Sequence, residues 1–171
     1  MILKEKILIV SLFFSMLSNG QTFEWGISHG GIGLDATYSI GIQSDGGSIA
    51  VGIFEDMVDF DPSEEEAIHT SNGSRDLFIQ KINAAGGLEW IKSIGGDASE
   101  STTSMYVDED DNIFITGMFE STVDFDPGIG VYNLTAPGED THENFILKLD
   151  EDANFIWAKS FGGDLNAVSY T

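Results

Sequence analysis

The chain contains the same five residues, Val-Asp-Phe-Asp-Pro, at two separate places. The first copy runs from Val58 to Pro62 and the second from Val123 to Pro127. Trp25, Trp90 and Trp157 extend the repeat, because nearly the same interval separates each tryptophan from the next. A fixed period of this kind is typical of folds that stack small structural units, so the repeat constrains the architecture before any single residue does.

Each copy of the repeat predicts four short β-strands. The predicted strands are rich in Ile, Val, Phe, Tyr and Trp, and turn sequences such as Asp45-Gly46-Gly47 separate them. They cover Ala36 to Gln43, Ser48 to Phe54, Asp76 to Asn83 and Leu88 to Ile94, then Thr102 to Val107, Asn112 to Phe119, Asn144 to Asp150 and Phe155 to Phe161. Four strands in a fixed period predict an all-β, β-propeller-like fold built from four-stranded antiparallel blades.

The phase of the repeat predicts two complete blades and an incomplete ring. The expected order is a signal peptide (1–20), then a repeat region (21–171) made of the last strand of a blade (21–35), a first full blade (36–96), a second full blade (97–163) and the start of a third (164–171). The opening strand then awaits partners encoded further downstream, which predicts that this is the N-terminal part of a longer protein. Trp90 and Trp157 are expected to be equivalent and largely buried, and Trp25 to be more exposed.

The N-terminus has the pattern of an export signal. Lys4 and Lys6 precede an apolar run from Ile7 to Leu17, and the small residues 18–20 follow. The run is too short to be a stable membrane anchor, so we expect cleavage before Gln21 and no membrane insertion of the remaining chain. The predicted location is therefore secreted or cell-surface. The sequence contains no cysteine, which excludes disulfides and thiolate metal sites.

The composition is acidic, with 29 Asp and Glu residues against 7 Lys and Arg and a formal net charge of −22. Such a chain repels nucleic acid and anionic lipid, and it attracts cations and basic partners. Its hydrophobic content of 42% is too high for a disordered acidic tail. The acids are therefore expected in turns and on exposed strand faces.

Two sequence matches suggest an enzyme, and the repeat argues against both. The Gly-x-Ser-x-Gly sequence around Ser28 resembles a hydrolase nucleophile elbow, but an elbow needs a following helix, and related Ser-x-Gly-Gly sequences recur at Ser93 and Ser160. Gly31-Ile32-Gly33 resembles a dinucleotide loop but also lacks a helix. We therefore predict turns and no catalytic residue. The three histidines have no metal-ligand spacing, and surface or turn positions explain them.

The repeated acid pairs are the candidate metal ligands. In an extended segment Asp59 and Asp61 share one side, as do Asp124 and Asp126, while the alternating residues of each motif, Val58 and Phe60 in the first copy, face inward. Clustered oxygen ligands suit calcium, and a solvated acidic loop is the alternative. The Asp-x-Asp-x-Asn sequence at Asp108 also resembles the start of a calcium loop, but it lacks the later glycine and glutamate of an EF-hand and predicts a hairpin turn.

The repeat resembles the SBBP family, the seven-bladed β-propeller repeat. The motifs that carry the resemblance are Gly117-Met118-Phe119, Val123 to Gly128, Phe145 to Asp150 and Trp157 to Gly163. The resemblance implies a propeller and an exported protein of the kind found in bacteria with type IX secretion. It implies no common enzymatic activity, so no catalytic residue is carried over. The chain departs from the family in having too few repeats and no sorting domain.

These observations predict a secreted, non-enzymatic propeller module that binds a ligand or gives structural support at the cell surface. The ligand is expected to be a protein or a carbohydrate. Two alternatives stay open: the non-catalytic N-terminal region of an extracellular hydrolase, and a calcium-stabilised adhesion module.

Overall fold

The computed structural model describes residues 25–61, 63–138 and 141–162, and these residues form twelve β-strands and no helix. The strands are β1 (Ala36–Ile42), β2 (Ser48–Phe54), β3 (Met57–Asp59), β4 (Ile68–Thr70), β5 (Asp76–Ile82), β6 (Leu88–Ile94), β7 (Glu100–Val107), β8 (Ile113–Phe119), β9 (Thr122–Asp124), β10 (Asn133–Thr135), β11 (Glu143–Leu149) and β12 (Phe155–Phe161). The all-β prediction is confirmed. The predicted signal peptide (1–20) and the start of a third blade (164–171) lie outside the described residues.

Eight of these strands form two four-stranded antiparallel sheets. The first blade has the order β1-β2-β5-β6, and the second has the equivalent order β7-β8-β11-β12. Each predicted strand of the two blades begins and ends within two residues of the observed one. Strands β1, β2 and β5 of the first blade contact β7 of the second, so the two sheets pack as consecutive, propeller-like blades. The blades do not close a ring within the described part of the chain.

The four remaining strands form one small hairpin per blade, inserted between its second and third strands. The hairpin β3-β4 belongs to the first blade, and β9-β10 belongs to the second. Val123 of β9 also forms a bridge with Gly96 at the end of the first blade. The second hairpin therefore ties the two blades together.

A cluster of three phenylalanines packs each hairpin onto its blade. The rings of Phe54 and Phe60 meet edge to face, with 5.4 Å between centroids, and those of Phe60 and Phe78 are 5.0 Å apart. All three side chains are fully buried. The second blade repeats the arrangement with Phe119, Phe125 and Phe145. The hairpin is thus held by burial of a large aromatic surface.

A glycine in the second strand of each blade is required by close packing. A Cβ atom on Gly52 would clash with the carbonyl oxygen of Ala36 and the ring of Phe78. A Cβ on Gly117 would meet the equivalent atoms of Ser101 and Phe145. The absence of a side chain lets the first strand and the aromatic ring approach the backbone.

The tight turns recur at matching positions, although their residues differ. Gly46 and Gly86 have positive φ angles of 84° and 89° in the first blade. The matching residues of the second blade, Asp111 and Ala153, also have positive φ angles, 62° and 59°. Asp108 Oδ1 accepts hydrogen bonds from nearby backbone amides of its own turn, so the Asp-x-Asp-x-Asn sequence makes a hairpin turn, as predicted.

Residues 25–35 contain no strand. The expectation that 21–35 forms the last strand of a blade is therefore wrong for the part of this segment that the structure describes. A strand needs a hydrogen-bonded neighbour, and no described strand pairs with this segment. The segment nevertheless takes the place that the end of β6 takes at the second blade. Gly31 lies against the Met57 carbonyl, as Gly96 lies against that of Thr122.

The three tryptophans follow the repeat, and Trp25 is the most exposed of them, as predicted. Trp90 pairs with Lys81 and Trp157 with Lys148, which confirms that they are equivalent. Both are half-buried on the outermost strand of each blade, and Trp90 packs against the apolar core. Trp25 is 36% exposed, and its indole nitrogen donates a hydrogen bond to the Ala84 carbonyl.

Candidate functional site

The connections between strands give the two edges of the blades different characters. At one edge lie the four tight turns 43–47, 83–87, 108–112 and 150–154, which we call the tight-turn edge. At the other edge begin and end the long connections 55–75 and 120–142, beside the link 95–99 between the blades, and we call it the long-loop edge. Long loops on a rigid scaffold are where binding residues concentrate. The candidate site is therefore sought at the long-loop edge.

The first predicted acid pair lies in the loop of the first hairpin. Asp59 Oδ1 accepts hydrogen bonds from the amides of Ala67 at 2.9 Å and Asp61 at 3.1 Å, and these bonds lower the pKa of Asp59. Asp61 Oδ1 accepts the amide of Ser63 at 2.8 Å. Phe60, between the two acids, is buried as predicted. Both carboxylates therefore hold the loop closed from within.

The second predicted pair makes the same bonds in the second hairpin. Asp124 Oδ1 accepts the amides of Tyr132 at 2.8 Å and Asp126 at 3.0 Å, and Asp126 Oδ1 accepts that of Gly128 at 2.8 Å. No group of three or more His, Asp or Glu side chains that could hold a metal occurs in the described ranges. A bound calcium ion would thus need backbone carbonyls or water to complete its shell, and the calcium site stays a prediction.

An acid and a base meet at equivalent places in the two blades, which sequence reasoning missed. Glu55 contacts Arg75 at 3.2 Å in the first blade, and Glu120 contacts His142 at 3.0 Å in the second. The period of the repeat relates Glu55 to Glu120 and Arg75 to His142. The period could have predicted that the two pairs are equivalent, but Arg in one copy and His in the other do not match in the sequence.

Glu100 is a buried acid beside the second of these pairs. It is 1% exposed, and its Oε2 atom accepts the amide of Gly96 at 3.1 Å. Burial raises its pKa to about 8, helped by the charge of Asp76, so the carboxyl group is mostly neutral at pH 7. Together with Glu120 and His142 it lines a cleft of about 590 Å³ between the blades. The cleft is polar and lies at the long-loop edge.

The three histidines have different environments. His142 is on the surface, paired with Glu120. His29 and His69 are half-buried against Phe60, and burial lowers the pKa of each. The interpretation as surface or turn residues is therefore wrong for these two. The sequence alignment of the copies places them opposite Ile94 and Leu134, which indicates partly buried positions.

Ser28 lies in an exposed, irregular segment. Within the described residues the sequence around it is neither preceded by a strand nor followed by a helix, and a nucleophile elbow requires both. The geometry of this segment therefore gives no support to a hydrolytic serine.

A search of the described strands and loops found no helix long and apolar enough to cross a membrane. The chain matches no known family in a comparison with protein-family profiles. It is similar to an uncharacterised WD repeat-containing protein, L264, of Acanthamoeba polyphaga mimivirus, with 20% identity over 82% of the chain. The chain spans 12% of the length of that relative. This similarity and the repeated antiparallel sheets together fit a repeat of β-propeller type.

Proposed function

We propose that the chain is a non-enzymatic, protein-binding module that engages its partner through the long-loop edge. The observation that carries this proposal is the difference between the two edges, because every long connection between the described strands lies on one of them. Propeller-type repeats place such loops on a scaffold of rigid sheets. The similarity to a WD repeat-containing protein supports the same class of function.

We further propose that the module belongs to the SBBP type and is exported to the cell surface or the medium. The support comes from the sequence alone: the positively charged and apolar N-terminus, and the motifs shared with that repeat family. Further blades or domains of a longer protein would complete the ring. A hydrolase domain among them would make this chain a non-catalytic region of an enzyme, and a carbohydrate would then replace a protein as the ligand.

Calcium stabilisation is a second candidate, supported by the repeated acid pairs. Asp59 is exposed, Asp61 is half-exposed, and the matching acids of the second blade recur in the same loop geometry. The proposal assigns the four aspartates to two equivalent, weak calcium sites.

Site-specific photo-crosslinking tests the use of the long-loop edge. A photoreactive side chain is placed at exposed positions of that edge, Ser74 and Asp97, and at exposed positions of the tight-turn edge, Asp110 and Asp152. The purified variants are then incubated with surface and culture extracts of the source cells. We expect adducts from the first two positions only. Equal adducts from the tight-turn edge, or adducts from that edge alone, would contradict the proposal.

A further inference from the structure

The first hairpin presents an apolar surface to solvent. Met57 is 58% exposed and Ile68 is 48% exposed. They lie on the outward face of the hairpin, since Met57 pairs with Thr70 and Ile68 with Asp59, while the intervening pair of Val58 and His69 faces inward. The outward face of the hairpin thus carries two exposed apolar side chains, Met57 and Ile68, beside the polar side chains of Asp59 and Thr70, and its own blade does not cover it.

Two further exposed apolar side chains lie in the segment beside this hairpin. Ile32 is 97% exposed and Leu34 is 49% exposed. Their segment runs beside the start of the hairpin, because Gly31 packs against the Met57 carbonyl and the amide of Leu34 donates to Glu55 Oε2 at 3.1 Å. We call Ile32, Leu34, Met57 and Ile68 the apolar patch.

The second blade shows that the fold does not require apolar residues at these positions. The repeat places Asp97, Ser99, Thr122 and Asn133 opposite the four residues of the apolar patch. All four are polar, and three of them are exposed although a blade precedes them. A preceding blade therefore leaves these positions open to solvent. The apolar character of the first blade needs an explanation other than folding.

The surroundings of the apolar patch are acidic. Asp56 is exposed beside Met57, and the loop of the same hairpin carries Glu64, Glu65 and Glu66, all exposed. The corresponding loop of the second blade, 127–132, contains no acid. An apolar surface with a carboxylate rim, on a chain of net charge −22, is complementary to a segment with apolar side chains between basic ones.

We propose that the apolar patch binds an amphipathic, basic segment of a protein partner. Apolar side chains of the partner cover Ile32, Leu34, Met57 and Ile68, and its Lys or Arg side chains face Glu64 to Glu66. This inference rests on the proposed protein-binding function and names the chemical class of the partner. The first blade supplies specificity, while the second blade, with polar residues at the same places, supplies none of this contact.

Three synthetic peptides of about four helical turns test the class of partner. One alternates Leu and Lys with an amphipathic period, the second replaces every Lys by Glu, and the third replaces every Leu by Ser. Fluorescence anisotropy with labelled peptides at physiological salt measures each dissociation constant. We expect the Leu/Lys peptide to bind at least about tenfold more tightly than either of the others, because it alone matches both the apolar and the acidic surface.

Variants that carry the residues of the second blade test the location. M57T/I68N should weaken binding of the Leu/Lys peptide at least about tenfold. The melting temperature of this variant should equal that of the parent protein, because both substituted side chains are exposed. I129T, which removes an exposed apolar side chain from the loop of the second blade, is the matched control and should bind as the parent does. E64Q/E65Q/E66Q should weaken binding and reduce its salt dependence.

Three results would overturn the proposal. They are equal binding of the three peptides, unchanged binding by M57T/I68N, and a self-association in sedimentation velocity that M57T/I68N abolishes, which would assign the patch to a second copy of the chain. Crosslinking from Asp97 separates this proposal from the general one. If adducts persist while the peptides fail, the chain binds protein through another part of the long-loop edge. If the peptides do not bind and Asp97 gives no adducts either, both proposals are wrong.

Discussion

The imidazole ring of His29 packs against the phenyl ring of Phe60, with 4.8 Å between the two ring centroids. His69 contacts the same phenyl ring at 6.0 Å, and its Nδ1 atom lies 3.0 Å from Ser93 Oγ. The buried centre of the first blade thus depends on two groups that acquire charge near neutral pH. The corresponding places at the second blade are taken by Ile94, from the end of β6, and by Leu134, and neither of these side chains can acquire charge.

This arrangement predicts that acid destabilises the fold. Burial holds the pKa of His29 and that of His69 below 6.5, the value that applies to the unfolded chain. The charge of Lys92 lowers the pKa of His69 further, whereas that of Asp35 opposes the shift of His29. Their contribution to stability is therefore complete above pH 6.5 and is lost as the pH falls toward the folded-state pKa values. Urea denaturation across this range should show the loss.

The variant H29I/H69L, which copies the second blade, should remove most of that pH dependence below pH 6.5. H142Q is the matched control, because His142 lies on the surface, and it should retain the slope. A double variant with the same slope as the parent would contradict the role given to these two histidines.

Glu100 predicts a dependence of opposite sign. Its pKa is raised from 4.5 to about 8 on folding, so its stabilising contribution is complete below pH 4.5 and is lost as the pH rises through 8. E100Q should therefore stabilise the protein at alkaline pH by an amount on the order of a few kcal/mol. Thermal unfolding at several pH values measures the gain, and E109Q, at an exposed position, should show none. A loss of stability in E100Q above pH 8 would refute this account.

The phenylalanine clusters predict equal roles for Phe60 and Phe125. Either substitution by alanine should cost about 3 to 5 kcal/mol, since each side chain is fully buried and leaves a cavity. F161A, whose ring is 48% exposed, serves as the control and should cost far less. Guanidinium denaturation gives the values. Costs for F60A and F125A that match the control would show that the hairpins do not depend on their aromatic anchors.

Gly52 and Gly117 predict a strict requirement for glycine. G52A and G117A should each destabilise by about 3 kcal/mol or prevent folding, because the new methyl group would meet a backbone carbonyl that cannot move freely. G138A, where among the described residues only the side chain of Thr141 lies close, should be tolerated. Differential scanning calorimetry distinguishes the three variants, and normal melting of G52A would be inconsistent with the packing described.

The acid pairs predict a specific response to calcium. A low concentration of calcium at physiological salt should raise the melting temperature. In D124N/D126N the part of this increase that comes from the second blade should disappear. Asparagine keeps an oxygen that can accept the loop amides, so the variant removes charge and leaves the turn in place. Magnesium should be less effective because it holds its water more firmly. An identical response to both ions would leave the aspartates as loop residues only.

The strands could be predicted because their signals are local. Alternation in Ile49, Val51 and Ile53, and turn residues such as Gly46 and Gly86, act over a few positions and recur in the second copy. The alternation of the repeated motif likewise predicts that Val58 and Phe60 face inward, which their burial confirms. Local chemistry and period together therefore define the blade.

Contacts that depend on the environment of a side chain could not be predicted. In the sequence Glu100 is one more acid of an acidic chain, and only the packing of the two blades buries it. The place of Trp90 on the outer strand likewise follows from the order of strands in space. A surface position for His29 is the simpler prediction, since its contact with Phe60 joins two segments that are distant in sequence.

The bridge between Gly96 and Val123 has a consequence for hydrogen exchange. Each sheet is built from neighbours in sequence, so its amides should become protected early in folding. The second hairpin joins the two sheets through this bridge, and its buried residues Val123 and Phe125 belong to the one apolar core that spans both blades. We expect its amides to exchange together with those of the adjoining strands, so that the junction between the blades opens as one cooperative unit.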